Sequence, residues 1–257
     1  MIADNRRYTL ISGLSVAVAI LVWAAATGTG IVNREIIPSP TDLAREFVNL
    51  LGGGYSGTPL WEHVAASLGR TLSGLVCAIL VGTPIGLLIG YSRMTSAILE
   101  PFFSIVRPMP AIAFIPLVIL YFGIGEFSKI MLIFFTSMLH MTIHASAGVR
   151  SVPNELLRVA HNFGLKRKDL FLHVILPAAM PHVMTGIRTT TAISWALVVA
   201  AELVGAQQGL GYIVMDAATF FRISDIYVGI ALIGLIGFSL EIVERKVENR
   251  LLHWQGR

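Results

Sequence analysis

The 257-residue chain is 55% hydrophobic and only 13% charged, whereas about 25% of the residues of a soluble globular protein are charged. This composition excludes an ordinary soluble domain and predicts an integral membrane protein. The formal net charge of +4 does not indicate nucleic-acid binding, because the basic residues lie in short loops between apolar runs. The single cysteine, Cys77, excludes an internal disulfide framework and a cysteine-based metal cluster.

Six apolar segments are each long enough to cross a membrane as a helix, which requires about 20 residues. They cover approximately residues 8–27, 64–91, 98–122, 129–149, 181–204 and 225–243. Their connections leave little room for a soluble domain. Residues 1–257 are therefore predicted to form one all-α membrane domain with about six transmembrane helices.

The distribution of basic residues predicts the orientation of these spans. If the N-terminus is cytoplasmic, the segments on that side hold twelve basic residues, which are Arg6, Arg7, Arg93, Arg150, Arg158, Lys166, Arg167, Lys168, Arg245, Lys246, Arg250 and Arg257. The segments on the other side hold four, which are Arg34, Arg45, Lys129 and Arg222. Because cytoplasmic loops are enriched in Lys and Arg, both termini are predicted to be cytoplasmic. Arg70, Arg107 and Arg188 lie too deep in the spans to be assigned to a side.

Glycines mark two features of the first half of the chain. Gly52-Gly53-Gly54 are predicted to end an amphipathic surface helix that follows Ser39-Pro40. In the second span, Gly82, Gly86 and Gly90 recur at four-residue spacing. Such a stripe of small residues lets another helix approach closely, so a packing role is predicted for it.

The third span contains three prolines, Pro108, Pro110 and Pro116. Proline has no backbone N–H to donate and restricts the residue before it, so the helix is predicted to kink or break near the middle of the membrane. A broken backbone is tolerated there only against protein or a water-filled cavity. The pattern favours a helix that lines a pathway or forms a gate, although a kink that only fits a neighbouring helix stays possible.

The fourth span carries His140 and His144 one helical turn apart. Histidines at this spacing occur in zinc helices, but the intervening glutamate of that motif is missing. Ionisable groups within a span normally face the bundle interior, so these side chains are predicted to make polar contacts between helices or along a pathway.

The fifth span contains a polar stripe. Arg188, Trp195 and Glu202 recur every seven residues, and Thr191 lies on the same face. Such a stripe is not expected to face lipid. Two interpretations stay open, because the stripe could line a pathway or form salt bridges with a neighbouring subunit.

A charged and amphipathic insert, residues 150–177, separates the fourth and fifth spans. Asn154 is predicted to cap a short helix that ends at Gly164. The basic cluster Lys166-Arg167-Lys168 then opens a second short helix, which Pro177 is predicted to end or kink. The insert is therefore predicted to form a helix-turn-helix at the membrane surface.

The insert resembles the cytoplasmic signature loop of binding-protein-dependent ABC importer permeases. The resemblance rests on Ala160-x-x-x-Gly164, nine further residues and then Val174-x-Leu176-Pro177. The chain departs from the family by having Arg158 and Val159 where a glutamate and an alanine are usual. The stretch RPMPAIAFIPLVILYFGIGEFSK also resembles the nitrate, sulfonate and taurine branch of these permeases.

This resemblance implies a type I ABC importer permease in a bacterial inner membrane. Its implied partners are a second copy of the chain, two ATPase subunits on the cytoplasmic side and a solute-binding protein on the outer side. The chain has no G-x-x-x-x-G-K-[ST] phosphate loop, so no cofactor is expected on it, and ATP and Mg²⁺ are expected in the partner ATPase. The implied cargo is a small anion such as a sulfonate, taurine, nitrate or an organic carboxylate.

The resemblance and the patterns within the spans together predict roles for individual residues. Those expected to couple the chain to the ATPase are Arg158, Ala160, Gly164, Val174, Leu176 and Pro177. Those expected along the substrate pathway are Pro108, Pro110, His140, His144, Arg188, Thr191, Trp195 and Glu202. No catalytic or metal-binding residue is expected, and Glu202 could pair with an arginine, set a gate or lie between subunits.

Two other functions stay open on the residues alone. An ion-coupled secondary transporter would also be a multi-span protein, but this chain shows no internal repeat. An intramembrane enzyme could use His140, His144 and Glu202. Neither alternative accounts for the insert at residues 150–177.

Overall fold

The computed structural model describes residues 2–252. Within them, every regular secondary-structure element is a helix. The α-helices are α1 (Ile2–Gly28), α2 (Pro40–Gly53), α3 (Leu60–Tyr91), α4 (Arg93–Val106), α5 (Ile115–Phe122), α6 (Glu126–Arg150), α7 (Asn154–Asn162), α8 (Arg167–Leu170), α9 (Leu176–Glu202), α10 (Leu210–Thr219) and α11 (Ile223–Leu251). A 3₁₀ helix spans Ala111–Phe114, and a π-helical turn spans Phe171–Ile175. Met1 and residues 253–257, with the Arg257 of the charge balance, lie outside the described residues.

The predicted all-α membrane class is confirmed. Five helical stretches of the described chain are long and apolar enough to cross a membrane: Ile11–Gly28, Leu60–Tyr91, Glu126–Arg150, Arg167–Glu202 and Ile223–Leu251. A sixth span is obtained if Arg93–Val106 and Ala111–Phe122, which are bent by 89° from each other, are counted together. The bend lies at Pro108 and Pro110, where the two prolines supply no backbone donors.

The α3–α6 pair forms the centre of the bundle, and the glycine stripe explains its close approach. A β-carbon added at Gly82 would lie 2.7 Å from the Met138 carbonyl oxygen, and one added at Gly90 would lie 2.6 Å from the Val149 β-carbon. At Gly86 the added atom would lie 2.7 Å from the β-carbon of Ala145. The predicted packing role of the stripe is confirmed.

The insert forms the predicted first helix, with one correction at its start. Pro153, not Asn154, occupies the N-cap position, and Asn154 is the first helical residue. Gly164 ends the helix with a φ of +71°, and the N–H groups of Gly164 and Leu165 donate to the carbonyls of His161 and Ala160. This pair of bonds is the Schellman motif, in which a left-handed residue satisfies the last free carbonyls.

Pro177 does not end the second helix, so the first of its two predicted effects is wrong. Helix α8 continues through the π-helical turn into α9, so residues 167–202 form one uninterrupted helical stretch. Pro177 is the second residue of α9 and follows the π-helical turn closely. The wider turn directly before it changes the hydrogen-bond register and accommodates the ring.

The bundle has two ends, which we name by the surface helices that they carry. The α2 face holds α2, α10 and an apolar core that includes Leu50, Tyr55 and Leu210. The α7 face holds α7, α8 and a second core that includes Ala160 and Leu170. Helices α3, α6 and α9 connect the two faces.

Helix α2 is fixed at both ends by local hydrogen bonds. The Ser39 hydroxyl accepts from the Asp42 N–H, and the Asp42 carboxylate accepts from the Ser39 N–H, which forms a capping box. The hydrogen bonds from Ser39 lower the pKa of the Asp42 carboxyl. Gly54 ends the helix with a φ of +71°, so the predicted stop at the three glycines is confirmed.

Candidate transport pathway and coupling surface

An ionic network lies at the α2 face and joins three spans. The Arg70 guanidinium on α3 donates to Glu202 on α9 at 2.5 Å and to Glu126 on α6 at 2.5 and 2.8 Å. Arg70 and Glu202 are only 4% and 1% exposed. Because a buried charge is stable only when it is paired and hydrogen-bonded, the position of each of these groups depends on the other.

The first turn of α10 and Ser67 on α3 complete the coordination of Glu202. The Gly211 N–H donates to the Glu202 carboxylate at 2.9 Å, and the Ser67 hydroxyl donates to the same carboxylate at 2.8 Å. Ser67 in turn accepts from the Leu210 N–H, and Arg70 donates to the Gln208 carbonyl. The network therefore fixes the loop between α9 and α10 to both spans.

The α2 face also holds an aromatic cluster of Tyr55, His63 and Tyr212. The rings of His63 and Tyr212 stack with centroids 5.9 Å apart, and Tyr55 meets both rings edge-on. The Tyr55 hydroxyl donates to Asp216 at 2.8 Å, and the Arg222 guanidinium lies 4.6 Å from the Tyr55 ring centroid. Burial and the hydrogen bond to Asp216 raise the pKa of Tyr55 well above its usual value.

The part of the polar stripe on α9 that is nearer the α7 face contacts α11. Arg188 pairs with Glu248 at 3.1 Å and with Glu241 at 3.8 Å. Trp195 donates from Nε1 to the Ile233 carbonyl at 3.0 Å, and Thr191 donates to the Ile187 carbonyl of its own helix. These three stripe residues line a cavity of about 510 Å³ between α9 and α11, which Glu241 and Glu244 also line. Glu202, at the end of the stripe nearer the α2 face, contacts α3 and α10 instead.

A second cavity, which we name the broken-helix cavity, lies on the other side of α9. It has a volume of about 640 Å³ and is bounded by the bend between α4 and α5, by α6 and by Ile193. Most of its walls are apolar, as at Phe114, Leu117, Tyr121, Phe135 and Leu139. Its polar side chains include Arg107, Thr136 and His140.

The predicted pathway residues lie in several different parts of the bundle. Pro108 and Pro110 form the bend beside the broken-helix cavity, and His140 lines it. His144 lies one turn further along α6 and packs against Gly186, where an added β-carbon would lie 2.5 Å from the His144 β-carbon. The two histidines are therefore not part of one site. Among residues 2–252, no three side chains of His, Cys, Asp or Glu are grouped so that they could hold a metal ion.

Helix α7 packs on the bundle with one face and leaves other apolar side chains exposed. Ala160 is buried in the core beneath α7, and Val174 and Leu176 pack against the same core. On a neighbouring face of α7, Leu156, Val159 and Phe163 are exposed at helical spacing. Arg158 and Gly164 are exposed beside this stripe, and Pro177 is partly buried in the first turn of α9.

The profile of one protein family matches residues 82–253, which is more than half of the chain. The family is described as the binding-protein-dependent transport system inner membrane component. The chain belongs to this family of ABC importer permeases. The recognition made from the signature loop is thereby confirmed.

Curated relatives of the permease match it over most of their length. The taurine transport system permease of Escherichia coli is 36% identical over 98% of this chain and 92% of its own length. The aliphatic sulfonates transport permease of Bacillus subtilis is 34% identical over 98% of this chain and 90% of its own length. The nitrate import permease of Leptolyngbya laminosa is 31% identical over 78% and 72%.

Solved structures show the same fold. The permease aligns with a chain of the inward-facing MetNI methionine ABC transporter with a TM-score of 0.60 and 19% identity, over 79% of this chain and 96% of that chain. It aligns with a chain of an amino acid ABC transporter with a TM-score of 0.62 and 14% identity, over 82% and 96%. The predicted fold class of an ABC importer permease is therefore confirmed.

Membership of the family establishes what kind of protein the chain is. It is a multi-pass inner-membrane permease component of a binding-protein-dependent ABC importer, in the branch that includes taurine, sulfonate and nitrate permeases. Permeases of this family are not catalytic and bind no cofactor, because a partner ATPase subunit handles ATP. The alternatives of a secondary transporter and an intramembrane enzyme are not supported.

Sequence reasoning missed the central residue of the ionic network. Arg70 received no role, although Glu202, its partner, was predicted to pair with an arginine as one of three options. The nearest candidate in sequence, Arg188, pairs with α11 instead. The available signal was an arginine within an apolar span, since such a residue requires a charged partner.

Proposed function

We propose that the permease forms, with a second copy of itself, the membrane pathway for a small anionic solute such as a sulfonate, taurine, nitrate or an organic carboxylate. A solute-binding protein delivers the solute at the α2 face, and two ATPase subunits drive transport from the α7 face. The observation that carries this proposal is the near-full-length similarity to permeases named for taurine and aliphatic sulfonates.

We propose that the α7 face is cytoplasmic, with both termini on that side. The predicted inside segments hold twelve basic residues and the outside segments hold four. On the described part of the α7 face, Arg158, Lys166, Arg167 and Lys168 are all exposed. Cytoplasmic loops of membrane proteins carry this excess of Lys and Arg.

We propose that α7 and the turn after it couple the permease to the ATPase. The exposed stripe of Leu156, Val159 and Phe163 suits an amphipathic helix that enters a groove of another protein. Arg158 beside the stripe would contribute a charged contact in place of the usual glutamate of the family. Gly164 sets the direction of the chain after α7, while Ala160, Val174, Leu176 and Pro177 join this surface to α9 and so to the bundle.

For the route of the solute, we propose the broken-helix cavity, with His140 at its wall and Pro108 and Pro110 at the bend beside it. In a dimer, the exposed apolar residues around this cavity would face the second copy rather than lipid. For Arg188, Thr191 and Trp195, the contacts with α11 support a structural contribution. Glu202 and His144 would act by holding the helices that border the route.

The test is transport by the reconstituted complex of the permease, its ATPase and its binding protein in proteoliposomes. Ligand-dependent melting of the binding protein first selects the solute among taurine, an alkanesulfonate, nitrate and a carboxylate. The proposal expects uptake of that anion and ATP hydrolysis stimulated by the loaded binding protein. Stimulation and uptake by a cation or a neutral sugar, with none by any anion, would contradict it.

A further inference from the structure

The broken-helix cavity has the size and lining of a site for a small organic ligand. Its volume of about 640 Å³ lies within the roughly 300–1,000 Å³ of typical ligand pockets, which are mostly apolar with a few polar groups. The side chains that line it include aromatic and aliphatic walls, Arg107, Thr136 and His140, but no carboxylate. The site therefore offers one fixed positive charge and a large apolar surface.

Arg107 differs from the other arginines within the predicted spans. Arg70 is paired with Glu126 and Glu202, and Arg188 is paired with Glu241 and Glu248. Arg107 makes no ion pair with any residue of the described chain, and it is exposed at the bend of the third span. An arginine in a membrane span is costly unless its charge is compensated, so an unpaired one marks the place of an anion.

Arg107 also connects two cavities. It lines an adjoining cavity of about 210 Å³ on the side of the α7 face, which contains Glu100 and Arg150. The Glu100 carboxylate is already paired with Arg150 at 2.9 Å. An anion that moves from the broken-helix cavity towards the α7 face would therefore pass Arg107 without meeting an unpaired carboxylate.

We infer that Arg107 binds the anionic group of the transported solute and that the broken-helix cavity fits a monoanionic alkanesulfonate. This inference rests on the proposed function as an anion importer. The planar guanidinium donates two parallel hydrogen bonds to an oxyanion. The apolar walls cover the alkyl chain, and removal of that surface from water favours binding.

The lining discriminates among the solutes of the related permeases. Taurine carries an ammonium group, which would lie in an apolar cavity beside Arg107 and without a carboxylate partner. Nitrate has no apolar body to contact the walls. An alkanesulfonate uses both Arg107 and the walls, so it is expected to occupy the cavity more tightly than either of the other two.

Cysteine labelling of the permease–ATPase complex in nanodiscs tests the inference without the selectivity of the binding protein. Thr136→Cys in a Cys77→Ser background places one thiol in the cavity. Two reagents are compared, the anionic sulfonatoethyl methanethiosulfonate and the cationic trimethylammonioethyl methanethiosulfonate. We expect Arg107→Gln to lower the ratio of anionic to cationic labelling rates about tenfold, which is the combined effect on the two reagents of one charge about 6 Å away at the dielectric constant of water, about 80.

Three controls accompany this measurement. Arg107→Lys keeps the charge and should retain the ratio, while Arg188→Gln removes an arginine on the other side of α9 and should leave it unchanged. Butanesulfonate should protect the Thr136→Cys thiol from labelling at lower concentration than taurine or nitrate. Size-exclusion chromatography shows that each variant is assembled, and Arg107→Met, which also removes the charge, carries the test if Arg107→Gln does not assemble.

The outcomes separate this inference from the proposed function. An unchanged labelling ratio in Arg107→Gln, or a lowered ratio in Arg107→Lys, would overturn the role of Arg107. Equal protection by taurine and butanesulfonate would overturn the preference for an alkanesulfonate. In both cases, ATP hydrolysis stimulated by a loaded binding protein in the unmutated complex would still uphold the importer, whereas its absence would overturn the proposed function itself.

Discussion

At the α2 face the permease buries a paired arginine and glutamate, whereas at the α7 face it exposes a group of basic residues. Arg70 and Glu202 are almost fully buried and bonded to each other and to a surface loop. At the α7 face, Arg158 and the basic residues 166–168 are exposed beside an exposed apolar stripe. The first arrangement is complete within one chain, and the second presents groups that only another molecule can contact.

This difference indicates where the chain requires a partner. An exposed apolar stripe on a surface helix is typical of a docking site, and its neighbouring charges select the partner. A buried ion pair instead fixes the geometry of the helices that carry it, at a cost in desolvation. We therefore expect substitutions at the α2 face to affect stability and those at the α7 face to affect coupling.

The largest effect is expected at the ionic network. Arg70→Gln leaves Glu202 charged and buried without its main partner, so we expect a loss of about 3 to 5 kcal/mol of stability. The thermal midpoint of the solubilised permease measures this loss. Arg45→Gln, an exposed arginine of α2, is the matched control and should change the midpoint little. Equal thermal midpoints for the two variants would show that the buried ion pair contributes no more to stability than an exposed arginine does.

A smaller effect is expected where α3 meets α6. Gly86→Ala places a β-carbon against the backbone of α6, so overpacking should cost about 1 to 3 kcal/mol. Gly69→Ala on the same helix adds its methyl group in open space and is the control. Thermal melting of both variants measures the difference. A Gly86→Ala variant as stable as Gly69→Ala would show that the two helices can separate without cost.

Gly164 tests the geometry of the α7 face. Its φ of +71° disfavours a β-branched residue, so Gly164→Val should cost about 1 to 3 kcal/mol locally and misdirect the chain after α7. We expect an assembled complex with reduced ATP hydrolysis in response to the loaded binding protein. Gly164→Asn is the control, because asparagine tolerates this conformation. Full stimulation of ATP hydrolysis in Gly164→Val would show that the conformation of this turn is not needed for coupling.

The smallest effect is expected for Arg188→Gln. Its side chain is 35% exposed and its partners are partly exposed, so loss of the pair should change stability by no more than about 1 kcal/mol. The proposal also expects normal assembly and solute uptake near the unmutated rate, measured in proteoliposomes. Loss of uptake with stimulated ATP hydrolysis retained would instead place the α9 stripe on the route.

The sequence predicted the features that depend on local chemistry. Six apolar segments matched five long helices and one bent pair, because each span must satisfy its backbone internally. The bend followed from Pro108 and Pro110, and the end of α7 followed from Gly164. These features depend on residues within one or two helical turns.

Features that depend on tertiary contacts were not predicted. Arg70 and Glu202 are 132 residues apart in the chain, and Arg188 and Glu248 are 60 apart. No periodicity within one helix reveals which helix lies opposite. The continuous helix through Pro177 was also missed, because a π-helical turn that accommodates proline has no simple sequence signal.

Crosslinking tests the partner requirement of the α7 face most directly. In a Cys77→Ser background, Val159→Cys on the exposed stripe and Trp61→Cys on the exposed part of the α2 face are each combined with cysteines around the groove of the ATPase subunit. We expect a crosslink to the ATPase for Val159→Cys, none for Trp61→Cys, and loss of stimulated ATP hydrolysis once the link forms. A crosslink for Trp61→Cys with none for Val159→Cys would contradict both the coupling surface and the orientation of the permease.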